Sequence, residues 1–337
     1  MSVHVTIQPS GHQFNVLEGE TILQAALREG VGLPFGCRSG ACGSCKGKVL
    51  SGQVDHGVYQ PTALSSEDIA AGKTLFCCAK PVSDIVIEAR EVSGFKDIQI
   101  KKLPCRVESI LRPNHDVVIL RLKLPATEKF EFMAGQYIDF LLKDGKRRSF
   151  SLANAPQDKE FLELHIRHYP GGNFSNFVFN ELKKKSILRF EGPLGTFFLR
   201  EDSEKPIILM AGATGFAPIK GIVEYARHRN IKRSMKLYWG VRSQEDLYLA
   251  DLARQWESTG HDFKFIPVLS HQNPDQPWSG RTGLVHQAIL DDFSDLSGHQ
   301  VYACGAPIMV ESGFNAFTTT RNLPTEEFYS DPFTPST

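Results

Sequence analysis

Cys37-Arg-Ser-Gly-Ala-Cys42-Gly-Ser-Cys45, answered downstream by Phe76-Cys77-Cys78-Ala79, constrains this chain more than any other stretch. A C-x4-C-x2-C run followed by a distant fourth thiol is the spacing of a plant-type two-iron, two-sulfur centre. Four thiolates must converge on two irons, so the loop has to wrap tightly. Gly36, Gly40 and Gly43 let backbone N–H groups approach the sulfurs where a β-carbon would collide. Such N–H···S bonds tune the reduction potential. A zinc site would want paired C-x2-C knuckles, and here only Cys42 and Cys45 have that spacing. A disulfide framework would want a short, Cys-rich chain in an oxidising compartment, whereas this chain has seven cysteines in 337 residues.

Around that loop the chain resembles plant-type ferredoxins throughout Val3–Val92. In that family the last ligand lies four residues before a proline that precedes a Ser/Thr-Asp strand entry. Pro81-Val-Ser-Asp84 then implies Cys37, Cys42, Cys45 and Cys77 as ligands, with Cys78 the spare neighbour. The resemblance implies a β-grasp domain over residues 1–92. The residues themselves predict half-buried strands at Val3/Val5/Ile7 and Phe14/Val16, joined by a turn at Ser10-Gly11. They also predict a helix over Glu20–Glu29 ended by Gly30, a strand near Gly47–Leu50, a serine-capped helix from Ser65 and a closing strand at Ile85–Glu88.

The length allows two or three domains. Net charge is zero and the pI about 7.2, which argues against nucleic acid or an anionic membrane surface as partner. No apolar run reaches spanning length, the N-terminus reads as a strand and not as a signal peptide, and the cytoplasm is the expected compartment.

Residues 93–103 read as a polar linker with Gly94, and Pro104 opens a second domain, 104–202. Its long alternating strands (Val118/Leu120/Leu122/Leu124, Ile138/Phe140/Leu142, Leu162/Leu164/Ile166) favour an antiparallel β-barrel. Arg148-Ser-Phe150-Ser151 places an arginine and an aromatic on one side of a strand, suiting a diphosphate and a flat ring system. Gly171-Gly-Asn-Phe-Ser175, leading into a helical pattern over Phe177–Lys184, is a natural anion seat. The two motifs resemble the R-x-[YF]-[ST] and G-G-x-x-S of the ferredoxin–NADP reductase superfamily. That resemblance implies FAD, with Arg148 and Ser175 on its diphosphate and Gly172, Asn173 and Phe174 in the same seat. It also implies Phe150 on the isoalloxazine, Ser151 near the redox nitrogen, and the His165 and Arg167 backbone along the flavin. An outward-facing strand histidine is the alternative for His165.

From residue 203 the texture changes to a third domain, 203–337. Apolar strands at Pro206–Ala211, Met235–Trp239, Phe263–Leu269 and Gln300–Cys304 alternate with helical patterns, predicting a doubly wound parallel sheet. Gly212-Ala-Thr214-Gly215-Phe-Ala-Pro218 follows the first strand, with glycines where the backbone must approach a phosphate. It resembles the G-x-T-G-x-x-P turn with which the same superfamily holds NAD(P)H, and Cys304-Gly305-Ala-Pro-Ile-Met309 resembles its C-G-x-x-x-M. In that family the cysteine lies beside the nicotinamide C4. A small buried residue ending a strand is the alternative for Cys304. One of the tail aromatics Phe328, Tyr329 and Phe333 is expected to cover the flavin, with Phe333 the candidate. Arg242 and Arg281 are candidates for a 2′-phosphate, leaving NADH versus NADPH open.

The resemblance as a whole implies a multidomain α+β and α/β reductase carrying electrons from NADH or NADPH through FAD to the 2Fe-2S cluster and on to a partner protein. Ser151 and Cys304 are its catalytic candidates. Lys-Gly-Lys-Val-Leu-Ser-Gly, Leu-Glu-Leu-His-Ile-Arg and Phe-Tyr-Ser-Asp look most like CDP-6-deoxy-Δ3,4-glucoseen reductases, so a dehydratase is the implied acceptor. Reductases of aromatic-ring oxygenases and phenol hydroxylases, with an oxygenase component as acceptor, are close behind. A free flavin reductase is a further alternative that the complete flavin-seat motif argues against.

Overall fold

The computed structural model describes residues 2–92, 98–259, 262–272 and 277–334. Residues 93–97 of the expected linker lie outside them. The chain forms two compact units, Met1–Gln99 and Ile100–Thr337.

The first unit runs β1 (Val3–Gln8), β2 (Gln13–Val16), α1 (Ile22–Arg28), β3 (Lys46–Ser51), β4 (Val54–Asp55), α2 (Ser66–Ala70), β5 (Lys73–Leu75), β6 (Lys80–Pro81) and β7 (Ile85–Glu88). Its five-stranded sheet has the order β2-β1-β7-β3-β5, with β1 and β7 parallel. Val5, Ile7, Ile85 and Ile87 are buried at alternate positions, as a one-sided sheet requires. The first helix is shorter than Glu20–Glu29. The Thr21 side chain accepts the Gln24 N–H and the Gln24 side chain returns to the Thr21 N–H, a capping box that fixes its start at Ile22. Ser65 and Asp68 form the same reciprocal pair ahead of α2.

The second unit begins with a barrel: β8 (Lys101–Leu111), β9 (Val117–Lys123), β10 (Tyr137–Leu141), β11 (Arg147–Ser151), β12 (Leu162–Arg167), α3 (Asn173–Asn180) and β13 (Ile187–Leu194). Strand order is β11-β10-β13-β8-β9-β12, the pairs are antiparallel, and a bridge between Leu152 and Leu164 joins the two ends. Val118, Leu120, Leu122, Ile138, Phe140, Leu164 and Ile166 fill its interior. Leu124 and Leu142 fall just beyond their strands and are half-buried. β8 starts at Lys101, so Pro104 lies inside it, at a stretch where β9 has not yet joined and one side carries no partner strand.

The unit continues through β14 (Ile207–Gly212), α4 (Phe216–His228), β15 (Met235–Val241), α5 (Ala250–Ser258), β16 (Phe263–Leu269), β17 (Arg281–Thr282), α6 (Val285–Asp292), β18 (Gln300–Gly305), α7 (Pro307–Thr320) and β19 (Phe328–Pro332). These strands form a parallel sheet, β17-β16-β15-β14-β18-β19. Ile207, Leu209 and Ala211 pack with α4 and α5 on one face, Ile208 and Met210 with α6 and α7 on the other. Trp239 stacks on Phe216 of α4 at 4.0 Å. Fully burying a side chain of the Leu or Phe class contributes roughly 1.5–3 kcal/mol, so both faces are strongly driven shut. No helix among the described residues is long and apolar enough to cross a membrane.

Candidate functional site

In the first unit the cysteine loop is shaped by left-handed backbone at Arg38, Gly40 and Gly43 (φ 61°, 72° and 78°). The resulting curl turns N–H groups inward. Ser39 and Ala41 donate to Cys37 Sγ, both at 3.4 Å, and Cys37 N–H donates to Cys42 Sγ at 3.3 Å. The three glycines act differently from one another. A β-carbon on Gly40 would lie 2.8 Å from Cys78 Sγ and 2.9 Å from the Val58 carbonyl, and one on Gly36 3.1 Å from Cys42 Sγ. Gly43 has room and is required for its φ alone. The Cys42 thiol beside it and the Ser39 and Ala41 N–H groups hold Cys37 at about 5, below the ordinary thiol range. A hydrogen bond with Cys45 pushes the Cys77 thiol up, and burial and the charge of Cys37 act in the same direction, so Cys45 and Cys37 are both neighbours of Cys77. Cys78 Sγ lies 3.5 Å from Cys77 Sγ, and none of the seven cysteines is in a disulfide. Thiols gathered this closely, with N–H donors turned onto them, fit a thiolate-ligated cluster: two irons offset the charge that four neighbouring thiolates could not otherwise tolerate.

The second unit has a cleft of about 570 Å³ between β11 and β12 of the barrel and the carboxyl ends of β14, β15 and β18, where doubly wound sheets take their ligands. Along β11, Arg147 pairs with Glu191 and Ser149 donates to Asp139 at 2.6 Å. Arg148 and Phe150 occupy the alternate face. Arg148 gives one N–H to the Arg147 carbonyl, and Phe150 packs on Phe140 and Phe174 at the cleft. Ser151 donates to Asp331 Oδ2 at 3.1 Å.

The helix after Gly171-Gly172 starts at Asn173 and ends at Asn180, not over Phe177–Lys184. Ser175 is the reason. Its hydroxyl accepts the Tyr169 N–H and sits 3.1 Å from the Tyr169 and Gly172 carbonyls, closing the turn so that the helix begins at once. Ser175 therefore builds the seat, and the first-turn N–H groups of α3 are what it offers an anion.

Gly212, Gly215 and Gly305 each make a close contact within the protein itself. A β-carbon on Gly215 would stand 2.1 Å from the Cys304 carbonyl oxygen, one on Gly212 2.6 Å from Met309 Sδ, and one on Gly305 (φ 140°) 3.0 Å from Gly212 Cα. They bring the turns after β14 and β18 together. Thr214 is buried beside them, and Pro218 lies in the first turn of α4.

Cys304 is wholly enclosed and donates to the Asp331 carbonyl at 3.2 Å. Burial pushes its thiol well up, the Asp331 charge adds to this, and the sulfur stays protonated at neutral pH. Of its motif, Gly305, Ala306 and Met309 line the cleft. Asp331, one residue before Pro332, thus links Ser151 to Cys304. The sequence pattern offered no signal for it beyond membership of Phe-Tyr-Ser-Asp. Of the tail aromatics, Tyr329 stacks on Tyr302 and Phe328 packs on Phe314 and Phe317, whereas Phe333 lines the cleft.

Arg167 donates to Asp116 at 2.6 Å. The His165 side chain is fully enclosed, which removes the outward-facing alternative. Arg281 is engaged by Asp292, while Arg242 is exposed at the cleft rim. A cleft with Phe150, Ser151, His165 and Arg167 on one wall and the strand-end turns at Gly212–Thr214 and Gly305–Met309 opposite fits a flat redox ring facing a nicotinamide, whereas Arg148 and the first turn of α3 are not among its lining residues.

Three family models match in order: a 2Fe-2S iron-sulfur cluster binding domain over residues 5–82, an oxidoreductase FAD-binding domain over 104–199 and an oxidoreductase NAD-binding domain over 209–313. The chain is 43% identical to a CDP-6-deoxy-L-threo-D-glycero-4-hexulose-3-dehydrase reductase of Yersinia pseudotuberculosis, over 100% of both chains. It is 34% identical to reductase component 2 of a Comamonas terephthalate 1,2-dioxygenase, covering 99% of this chain and 98% of that one. Among solved structures it matches the Amycolatopsis cytochrome P450 reductase GcoB at a TM-score of 0.80 and 34% identity, over 99% of this chain and 100% of that one.

Proposed function

This chain belongs to the ferredoxin–NADP reductase superfamily, as an iron–sulfur flavoprotein with an N-terminal plant-type ferredoxin domain, and from that premise we propose which protein it reduces and which residues do the work. It is an NAD(P)H-dependent oxidoreductase in which electrons pass from NAD(P)H through FAD to a 2Fe-2S centre. Its acceptor is a dehydrase acting on a CDP-6-deoxyhexulose, the partner named for the 43% identical Yersinia reductase. The work is cytoplasmic and needs neither membrane nor nucleic acid.

FAD, when bound, accepts a hydride and gives up electrons one at a time to the cluster. Everything else is positioning by the chain. Cys37, Cys42, Cys45 and Cys77 hold the irons. Arg148 and the N-terminal turn of α3, shaped by Gly172, Asn173, Phe174 and Ser175, take the diphosphate. Phe150 and Phe333, which line the cleft, would bound the ring system of a bound flavin, and His165 and Arg167 of β12 would lie along it. Gly212, Thr214, Gly215, Pro218 and Gly305 form the nicotinamide wall. Ser151, whose hydroxyl is held by Asp331, would stand near the reacting nitrogen of a bound flavin, and Cys304 fixes the Asp331 main chain from behind. The meeting of Ser151, Cys304 and Asp331 where two sheets face each other is the observation that carries this reading.

The domains follow as 1–92, 101–202 and 203–337, joined by 93–100, since β8 of the barrel begins at Lys101. Mixing the reduced chain with a purified CDP-6-deoxyhexulose dehydrase should drive that dehydrase. A chain beginning at Ile100 should keep NAD(P)H–ferricyanide activity and lose the transfer. Equal reduction of a terephthalate oxygenase component would overturn the acceptor assignment.

A further inference from the structure

Between the barrel and the parallel sheet lies an ionic network that the steps above do not use. Glu163 of β12 is 3% exposed. It accepts from Arg121 of β9 at 2.9 Å, from Lys220 of α4 at 3.1 Å and from His165 Nε2 at 3.2 Å. Lys220 is also buried. Its three ammonium protons have three acceptors: Glu163, Glu224 at 2.9 Å and the Ala153 carbonyl at 3.1 Å.

The histidine tautomer follows from its neighbours. A carboxylate only accepts, so His165 Nε2 carries the proton and Nδ1 takes the Tyr248 hydroxyl at 2.9 Å. Burial keeps the imidazole neutral and Tyr248 protonated. Because the His165 side chain is fully enclosed while the residue lines the cleft, its main chain is the part that faces the ligand. Lys220, for its part, sits one turn into the helix that follows the Gly212–Gly215 turn. The network thus joins the two opposing walls of the cleft.

We infer that Lys220 and Glu163 are positioning residues that set the nicotinamide wall against the flavin wall. An apolar contact of equal area would hold the walls together and let them slide. A lysine with three directional bonds into β12, α4 and the Ala153 carbonyl admits one register. Hydride transfer needs the reacting atoms within about 3–3.5 Å, and a misplacement of about 1 Å can cost on the order of a hundredfold in rate. The inference rests on the hydride route proposed above.

The test compares Lys220→Met with the double variant Glu163→Gln/Lys220→Met. The single change leaves a buried carboxylate short of a partner, so its thermal midpoint should fall. The double change removes both charges and should restore the midpoint and the FAD content. At saturating NADH or NADPH, flavin bleaching in anaerobic stopped flow should still be about 10- to 100-fold slower in the double variant. A nicotinamide deuterated at C4 should give a larger isotope effect there than in the unaltered chain. Tyr248→Phe, which deletes only the hydroxyl on His165, should slow bleaching several-fold and serves if the double variant does not fold. Wild-type rates and isotope effects in the double variant, or in Tyr248→Phe where it stands in, would reduce the network to a stabilising contact. Failure of NAD(P)H to bleach the unaltered chain would remove the hydride route itself.

Discussion

The iron–sulfur loop and the flavin–nicotinamide cleft solve the same problem, holding reactive groups in fixed geometry, at opposite ranges of sequence. The N–H···S bonds of the loop join residues two, four and five apart. The Ser151–Asp331 bond of the cleft joins residues 180 apart. Local backbone conformation makes the first site, with left-handed geometry at Arg38, Gly40 and Gly43. Packing of a barrel against a parallel sheet makes the second. A site of the first kind is robust to change elsewhere and fragile at single positions. A site of the second kind has many supports, each contributing part.

The largest expected effect tests the fragility of the loop. Cys77→Ser should abolish the visible absorption and reduced-state EPR signal of the cluster, while Cys78→Ser keeps both and leaves FAD content unchanged in either case. If Cys78→Ser loses iron and Cys77→Ser keeps it, the ligand set inferred from the distance to Pro81 is wrong.

Next come two glycines, one at each site, where an added β-carbon would meet main chain. Gly40→Ala meets Val58 and Tyr59 main chain at 2.9 Å with a left-handed φ, and Gly215→Ala meets the Cys304 carbonyl at 2.1 Å. Each should cost about 2–3 kcal/mol, read as a shift in denaturant midpoint. Gly40→Ala should depress cluster content alone, Gly215→Ala flavin reduction alone. Loss of both signals from either change would mean that the two sites fold as one cooperative block.

The smallest contrast lies within the cleft. Arg148→Ala should weaken FAD retention about 10- to 100-fold, since hydrogen bonds to charged groups contribute about 1.5–3 kcal/mol. Ser175→Ala removes a hydroxyl that closes the Tyr169–Gly172 turn, and by loss of that hydrogen bonding alone should cost about 1 kcal/mol and weaken FAD a few-fold. Equal losses, measured by flavin release on dilution, would place Ser175 on the diphosphate itself.

This contrast also decides what could be read before any coordinates. The cysteine spacing, the β-grasp strands and the parallel sheet were legible because each is a short-range pattern with a fixed period. The start of α3 was misplaced by four residues because Gly171-Gly172 reads as loop, and only the Ser175 hydroxyl reveals that the helix begins directly after it. The packing contact of Gly215 carried no signal for a related reason: its partner, the Cys304 carbonyl, belongs to a strand that the chain reaches only after three further strands of the sheet. Glu163 and Lys220 carried no signal as a pair, since β12 belongs to the barrel whereas α4 is a helix packed on the parallel sheet. The one clue was a glutamate and a histidine alternating with leucines and isoleucine in a strand buried on both sides.

The strand orders of the sheets have a consequence for how the protein behaves when crowded. Each open edge among the described residues is a short strand: β2 with four residues, β5 with three, β4, β6 and β17 with two each, and β19 with five, ending at Pro332. The barrel has its terminal strands bridged to each other. An exposed row of unpaired N–H and C=O groups is the template on which strands of neighbouring molecules add, and short or proline-ended edges offer little of it. A concentrated solution of the folded chain should therefore resist ordered β-aggregation even though most of its core is sheet.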